Sequence, residues 1–371
     1  MKDLRIIISG GGTGGHIFPA VSIADALKKK RPDCEILFVG AQGRMEMQRV
    51  PAAGYKIIGL PIAGFDRKHL WKNAAVLWKV WKSQREARKI VKDFRPDVAV
   101  GVGGYASGPT LNVCAGLGVP TLLQEQNSYA GVTNKLLAKK ANRICVAYDG
   151  MERFFPAEKI MFTGNPVRQN LLADDLRKDD AKKSLCLDPE KHTILVVGGS
   201  LGARTINESI LNNLLLIRSQ KDVQFIWQTG KYYSAAIHQE LDEKGCPDNL
   251  LVCDFISDMR TAYCAADLVI SRAGAGSISE LCLLAKPSIL VPSPNVAEDH
   301  QTKNAMALVD KQAAVCVKDD EAQRLLLAKA INMVTDSEAL RVLSENIKQL
   351  ARPHAADTIA DEVLRLAGQI E

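Results

Sequence analysis

Short apolar runs rich in β-branched residues alternate with amphipathic stretches of helix length along the whole chain, and this alternation leaves few folds open. The runs are RIIISG, EILFVG, DVAVGVG, PTLLQEQ, RICVAY, TILVVGG, VQFIWQTG, LLVCDF, DLVISRAG and PSILVPS. A strand that is apolar at nearly every position is covered on both faces, the condition of a parallel sheet flanked by helices. The chain therefore reads as α/β, with doubly wound, Rossmann-like sheets. At 371 residues it has the length of two such domains, and 47% hydrophobic content supplies two cores.

An internal echo supports two domains in tandem. Residues 5–29 (RIIISGGGTGGHIFPAVSIADALKK) and 193–214 (TILVVGGSLGARTINESILNNL) share one order: buried strand, glycine-rich turn, amphipathic helix. The expected division is 1–164 and 165–349. It falls at FTGNPVRQN, where Gly164 and Pro166 interrupt regular structure ahead of the polar ADDLRKDDAKK. Two α/β domains facing each other across a cleft suit a two-substrate reaction, because such sheets bind ligands at the carboxyl ends of their strands.

Four glycine-rich segments follow strand candidates: SGGGTGGH (Ser9–His16), GVGGYASGP (Gly101–Pro109), GGSLGAR (Gly198–Arg204) and SRAGAGSISE (Ser271–Glu280). Glycine lets backbone approach a phosphate or sugar closely. A nicotinamide site would also need an acid closing the second strand, and LFVGAQG has none. GGSLGAR opens a helix whose N-terminus suits a diphosphate, with Ser200 as a hydroxyl donor; it lacks the G-K-[ST] ending of a nucleotide-hydrolysing loop. Glu280 either accepts ribose hydroxyls or complements a helix dipole. Each turn alone also serves strand-to-helix packing, but four together indicate a ligand cleft.

The nine cysteines form no C-x-x-C pair, which fits buried free thiols in a reducing compartment. The apolar stretch from Ile6 is too short for a signal peptide, and no run reaches the roughly 20 residues of a spanning helix. A cytosolic protein with peripheral membrane contact is expected. A formal net charge of +6 fits an anionic substrate or surface.

Segment 67–95 concentrates that charge, with ten Lys or Arg against Glu86 and Asp93, and it holds three of the four Trp. On one continuous helix, Val76, Val80, Ala87, Val91 and Phe94 share a face that packs on the sheet. Trp71, Trp78 and Trp81, with Lys82, Arg85 and Lys89, form a second stripe. Indole and basic side chains together suit an anionic lipid surface. The other reading is a helix broken by a loop, with the Trp rings in the core. Nucleic acid is disfavoured, because neither a helix-turn-helix pattern nor a single-strand platform accompanies the charge.

The motifs GGTGGH, GVGGYASGP, EQNSYAGVTNKLLAK, TGNPVR, GGSLGAR, DFISDM, SRAGAGSISE and EDHQTKNA resemble, in order and spacing, the MurG family of glycosyltransferases over about residues 5–310. The resemblance implies a GT-B fold, with a C-terminal helix near 350–371 returning to the first domain. It implies inverting transfer of N-acetylglucosamine from UDP-N-acetylglucosamine to the lipid-linked MurNAc-pentapeptide (lipid I to lipid II). It also implies the cytoplasmic face of the membrane, other cell-wall synthesis proteins as partners, and no cofactor.

Residue by residue, the resemblance places Thr13, Gly14, Gly15, Tyr105, Asn127, Arg168 and Ser200 in substrate binding. Ile256 reads the uracil edge with Met259 nearby, Ala275, Gly276, Ser277, Ile278, Ser279 and Glu280 surround the ribose, and Gln301 contacts the sugar. Direct displacement needs a base, for which His16 is the first candidate and Glu125 the second. His16 as a mere loop-holder or phosphate contact is the alternative. No D-x-D ends a strand, so no essential metal is expected. Gln124, Leu201 and His300 depart from the family pattern, and no histidine role carries over to position 124. Another lipid glycosyltransferase, a UDP-N-acetylglucosamine 2-epimerase and a non-catalytic nucleotide-sugar binder are the rival readings.

Overall fold

The computed structural model describes residues 4–62, 73–167, 171, 175–199 and 201–370, with backbone alone at 73–79 and 297. The chain forms two compact units, Met1–Arg168 with Arg352–Glu371, and Gln169–Ala351.

Unit 1 runs β1 (Arg5–Ser9), α1 (Gly14–Lys30), β2 (Glu35–Ala41), α2 (Glu46–Ala52), β3 (Lys56–Leu60), α3 (Asn73–Phe94), β4 (Val98–Gly101), α4 (Ser107–Gly116), β5 (Thr121–Glu125), α5 (Val132–Leu137), β6 (Arg143–Val146) and β7 (Ile160–Phe162). Its strands form one sheet in the order β3-β2-β1-β4-β5-β6-β7, with every pairing parallel. Unit 2 runs α6 (Lys178–Ser184), β8 (His192–Val197), α7 (Arg204–Leu211), α8 (Leu214–Ser219), β9 (Val223–Gln228), α9 (Ser234–Lys244), β10 (Leu250–Cys253), α10 (Met259–Ala265), β11 (Leu268–Ser271), α11 (Ala275–Leu283), β12 (Ser288–Leu290), α12 (His300–Val309), β13 (Val315–Cys316), α13 (Asp319–Val334) and α14 (Ser337–Lys348). Its parallel sheet has the order β10-β9-β8-β11-β12-β13.

Both orders reverse direction once, between β1 and β4 and between β8 and β11. At such a switch point the connections on either side leave toward opposite faces, and a crevice opens at the carboxyl ends. All four glycine-rich turns follow these four strands. The glycines are thus placed two by two at the two crevices that the winding creates.

The continuous apolar runs are the central strands. Ile6, Ile7, Ile8, Val98, Ala99 and Val100 are fully buried in one sheet, and Ile194, Leu195, Val196, Leu268, Val269 and Ile270 in the other. Trp227 on β9 is also fully buried, its Nε1 donating to Asn207 Oδ1 at 3.0 Å. The last helix, α15 (Ala355–Leu366), belongs to unit 1. Its Ile359, Ala360 and Val363 join Ile17, Ile23 and Leu27 of α1 in one core cluster. Lys30 pairs with Asp361 at 2.8 Å. Glu362, 1% exposed, is neutralised by Arg143 at 2.9 Å and by Arg365.

Helix α3 is continuous over the 22 residues Asn73–Phe94, which removes the broken-helix alternative within that span. Ala87 and Val91 are buried, whereas Trp81 is 60% exposed. The Arg85 guanidinium stands 5.9 Å from the Trp81 ring centroid, and Lys82 lies 3.9 Å from Glu86. Trp71 and the Trp78 side chain lie outside the described residues. No helix among the described residues is long and apolar enough to cross a membrane. The cysteines are all free, but Cys186 and Cys246 are exposed, so burial does not extend to the whole set.

Candidate functional site

In unit 1 the turn after β1 is shaped from below by a buried acid. Glu46, the first residue of α2, is 1% exposed; its Oε1 accepts from the Ala41 N–H at 3.0 Å and its Oε2 from the Gly12 N–H at 2.9 Å. Gly11 sits at φ +150°, and a Cβ there would stand 2.2 Å from Glu46 Oε1, so only glycine fits against the carboxylate. From this support the chain enters α1 at Thr13, whose Oγ1 lies 3.2 Å from His16 Nδ1. The imidazole covers Gly103 of the facing turn, where a Cβ would meet His16 Nε2 at 3.0 Å. Gly14, Gly15 and the half-exposed Tyr105 belong to the same crevice edge.

Glu125, the second candidate base, has a structural role in this arrangement. It is 2% exposed at the end of β5 and holds a loop. Its Oε1 accepts from Asn127 N and Nδ2 at 3.1 and 3.3 Å, and its Oε2 from Gly131 N and Asn134 Nδ2 at 3.0 and 2.9 Å. Burial nevertheless pushes its carboxyl above the usual range, because desolvation outweighs these bonds. Both oxygens are committed to shaping the segment that carries Asn127. Gln124 is also structural: fully buried, it donates through Nε2 to Asn165 Oδ1 at 2.9 Å, and Asn165 returns a bond to the Gln126 carbonyl at 3.0 Å.

In unit 2 the turn after β8 packs against the turn after β9. A Cβ on Gly202 would stand 2.1 Å from the Thr229 carbonyl, and the Gly202 N–H bonds back to Gly199 O at 2.9 Å. Ser200 and Arg168 lie outside the described residues. Leu201 is 65% exposed, an apolar tip where the family pattern has a polar one. Ile256 lies in the loop from β10 to α10, and Met259 opens α10. From α10, Tyr263 sends its hydroxyl to Glu280 Oε2 at 3.0 Å, fixing the carboxylate on α11.

The α11 set divides by what it presents. Ala275 and Ile278 are buried in the core, so their side chains are unsuited to ligand contact and their backbone is what the helix start offers. Gly276, Ser277, Ser279 and Glu280 are partly exposed, with Ser279 Oγ bonded to Ala275 O at 2.9 Å. Gln301, in the first turn of α12, accepts from the Ser293 N–H at 2.8 Å. His300 begins the same helix, after Glu298 and Asp299 in left-handed backbone. Arg272 clamps this edge through the Val291 and Pro292 carbonyls, at 3.1 and 3.2 Å, and through Asp319. Arg272, Asp319, Tyr263 and Glu46 escaped the sequence reading, since each acts through a partner distant in the chain.

Unit 1 thus assembles 13–16, 103–105 and 125–127 at one carboxyl edge, and unit 2 assembles 198–199, 201–202, 256, 259, 275–280 and 301 at another. Two Rossmann-like units with such edges are the architecture of the GT-B fold, a class of protein that binds nucleotide sugars at the carboxyl ends of its strands.

Comparison with known proteins narrows the class. Residues 6–146 match the glycosyltransferase family 28 N-terminal domain and residues 193–360 its C-terminal domain. The chain belongs to glycosyltransferase family 28. It is 68% identical, over 99% of its length and 96% of the relative's, to the UDP-N-acetylglucosamine--N-acetylmuramyl-(pentapeptide) pyrophosphoryl-undecaprenol N-acetylglucosamine transferase of Bacteroides fragilis. Acinetobacter baumannii MurG shares 27% identity and a TM-score of 0.77, covering 98% of this chain and 99% of that one. A putative UDP-N-acetylglucosamine 2-epimerase from Listeria monocytogenes (13% identity, TM-score 0.72, 100% and 98% covered) shares the fold alone.

Proposed function

We propose that this chain transfers N-acetylglucosamine, with inversion, from UDP-N-acetylglucosamine to the C4 hydroxyl of the MurNAc in a lipid-linked pentapeptide. Full-length identity of 68% to a relative named for that reaction carries the reading. The two glycine-lined crevices support it chemically. Unit 2 takes the donor: the turn at 198–202 faces the diphosphate, the Ile256 backbone the uracil, Glu280 the ribose and Gln301 the sugar, with Ser200, and Arg168 at the end of the first stretch of unit 1, adding phosphate contacts. Thr13, Gly14, Gly15 and Asn127 of unit 1 are assigned to the donor as well, and unit 1 takes the acceptor beside His16 and Tyr105.

In the reaction the acceptor oxygen attacks C1, and the bond from C1 to the UDP oxygen breaks with its electron pair leaving on UDP. His16 takes the hydroxyl proton. The role requires the tautomer in which Thr13 Oγ1 accepts from Nδ1–H across their 3.2 Å contact, which leaves Nε2 unprotonated. The turn at 198–202 stabilises the charge that develops on the diphosphate. The acceptor's lipid requires work at a membrane surface, and the exposed Trp81 with Arg85 on α3 supplies peripheral contact at its cytoplasmic face.

Labelled UDP-N-acetylglucosamine is incubated with purified protein and the lipid-linked acceptor. The expected result is label in the lipid fraction that depends on the acceptor. Isomerisation of the donor without transfer, or UDP binding without either, overturns the proposal.

A further inference from the structure

The strand β9 ends in a side chain that touches both halves of the unit 2 edge. Gln228 is 4% exposed. Its Nε2 donates to the Gly199 carbonyl at 2.9 Å, and its Oε1 accepts from the Ile256 N–H at 3.1 Å. One partner is an acceptor and the other a donor, so they fix which way the amide points. Gly199 lies in the turn after β8, and Ile256 lies in the loop between β10 and α10. Those two segments belong to strands on either side of β9.

The end of β9 is itself immobilised. The Thr229 carbonyl accepts from Asn207 Nδ2 at 2.8 Å, and a Cβ on Gly230 would stand 2.2 Å from Gly202 N. A rigid strand end therefore presents one amide that bonds two loops at once. Ile256 stands among the exposed residues Asp254, Phe255, Ser257 and Asp258; the Asp254 carbonyl accepts from the Gly230 N–H at 3.1 Å and Asp258 caps α10, while Gln228 fixes the Ile256 N–H between them.

We propose that Gln228 is a positioning residue that holds the diphosphate turn and the base-reading loop in one register, so that a ligand ordering either one orders the other. This rests on the donor-site reading above. Gln228 never touches the reacting atoms; it makes the site bind a nucleoside diphosphate as a unit and not as two independent fragments.

The test titrates UDP and uridine into the full-length protein. Gln228→Glu keeps the size and an oxygen for the Ile256 N–H but offers no proton to the Gly199 carbonyl. At high salt, which screens the new carboxylate from the diphosphate, UDP affinity is expected to fall about tenfold while uridine affinity stays within about twofold, the size of one lost hydrogen bond read selectively. Gln228→Met removes both bonds and lowers both affinities. A general loosening of the fold lowers both ligands alike in Gln228→Glu, and that result overturns the proposal, as does an unchanged ratio. A second measurement needs no variant: in ligand-free wild-type protein the Ile256 amide should exchange more slowly than its exposed neighbours. Exchange at the rate of an unstructured amide also overturns it. Failure of wild-type protein to bind UDP sinks the donor-site reading instead, which keeps the two failures apart.

Discussion

Glu46 holds the first glycine turn with both carboxylate oxygens, each facing a backbone donor. The amide of glutamine would turn an N–H toward one of them. Exchanging a bond to a charged group for that repulsion costs roughly 1.5–3 kcal/mol, and the strain falls on the turn that presents His16. Glu46→Gln is expected to lower kcat about 10- to 100-fold at saturating donor, and His16→Ala roughly 100- to 10,000-fold as a general base is lost. The double variant should be little worse than His16→Ala, since the turn then has no base left to aim. Fully additive losses in kcat would show that Glu46 acts elsewhere. His16 stood out in the sequence as a candidate because GGTGGH is a local pattern. Glu46 did not, because its role is created by a turn 34 residues earlier in the chain. The structural side of Glu125 was hidden for the same reason: the four donors that its carboxylate accepts from become visible only in the fold.

At the scale of elements, the sequence reading found the strands with two covered faces and overlooked three at sheet edges. β3, β7 and β13 end their sheets, and Leu60 is the one buried residue among them, so the continuous apolar signature does not arise; β10 also ends a sheet but keeps the apolar run LLVC. β13 has two residues and β7 three, below the length at which periodicity exists. Helix α3 was legible because its two stripes lie on different faces. Its buried stripe, Ala87 and Val91, fixes the helix on the sheet and leaves Trp81 and Arg85 outside. Trp81→Glu with Arg85→Glu removes an interfacial indole and reverses one basic charge, each basic contact being worth about 1 kcal/mol at an anionic surface. Binding to vesicles rich in anionic lipid is expected to fall at least tenfold, while turnover of a short-chain soluble acceptor stays within about twofold. Vesicle binding equal to wild type would remove α3 as the contact element.

For the whole molecule, the consequential feature is that unit 1 is completed by the last segment of the chain. The α15 residues Ile359, Ala360, Val363 and Leu364 are at most 4% exposed and share a core with α1. Burying a large aliphatic side chain contributes roughly 1.5–3 kcal/mol, so three of these alone approach the 5–15 kcal/mol that typically holds a domain. Arg143 would also lose its partner Glu362. Unit 2 has its own core, built from Ile194, Val196, Phe225, Trp227, Leu268 and Ile270, to which α15 contributes nothing. Deleting residues 352–371 should therefore act unequally on the two units. Transfer to the lipid-linked acceptor is expected to disappear and exchange protection across β1, β4 and α1 to collapse. UDP binding measured by calorimetry should weaken but persist, because the turn at 198–202, Gln228 and the Tyr263–Glu280 bond all lie within Gln169–Ala351, whereas Arg168 belongs to unit 1. Loss of UDP binding together with transfer would mean that the donor crevice cannot stay folded without unit 1, and that the two cores are energetically one.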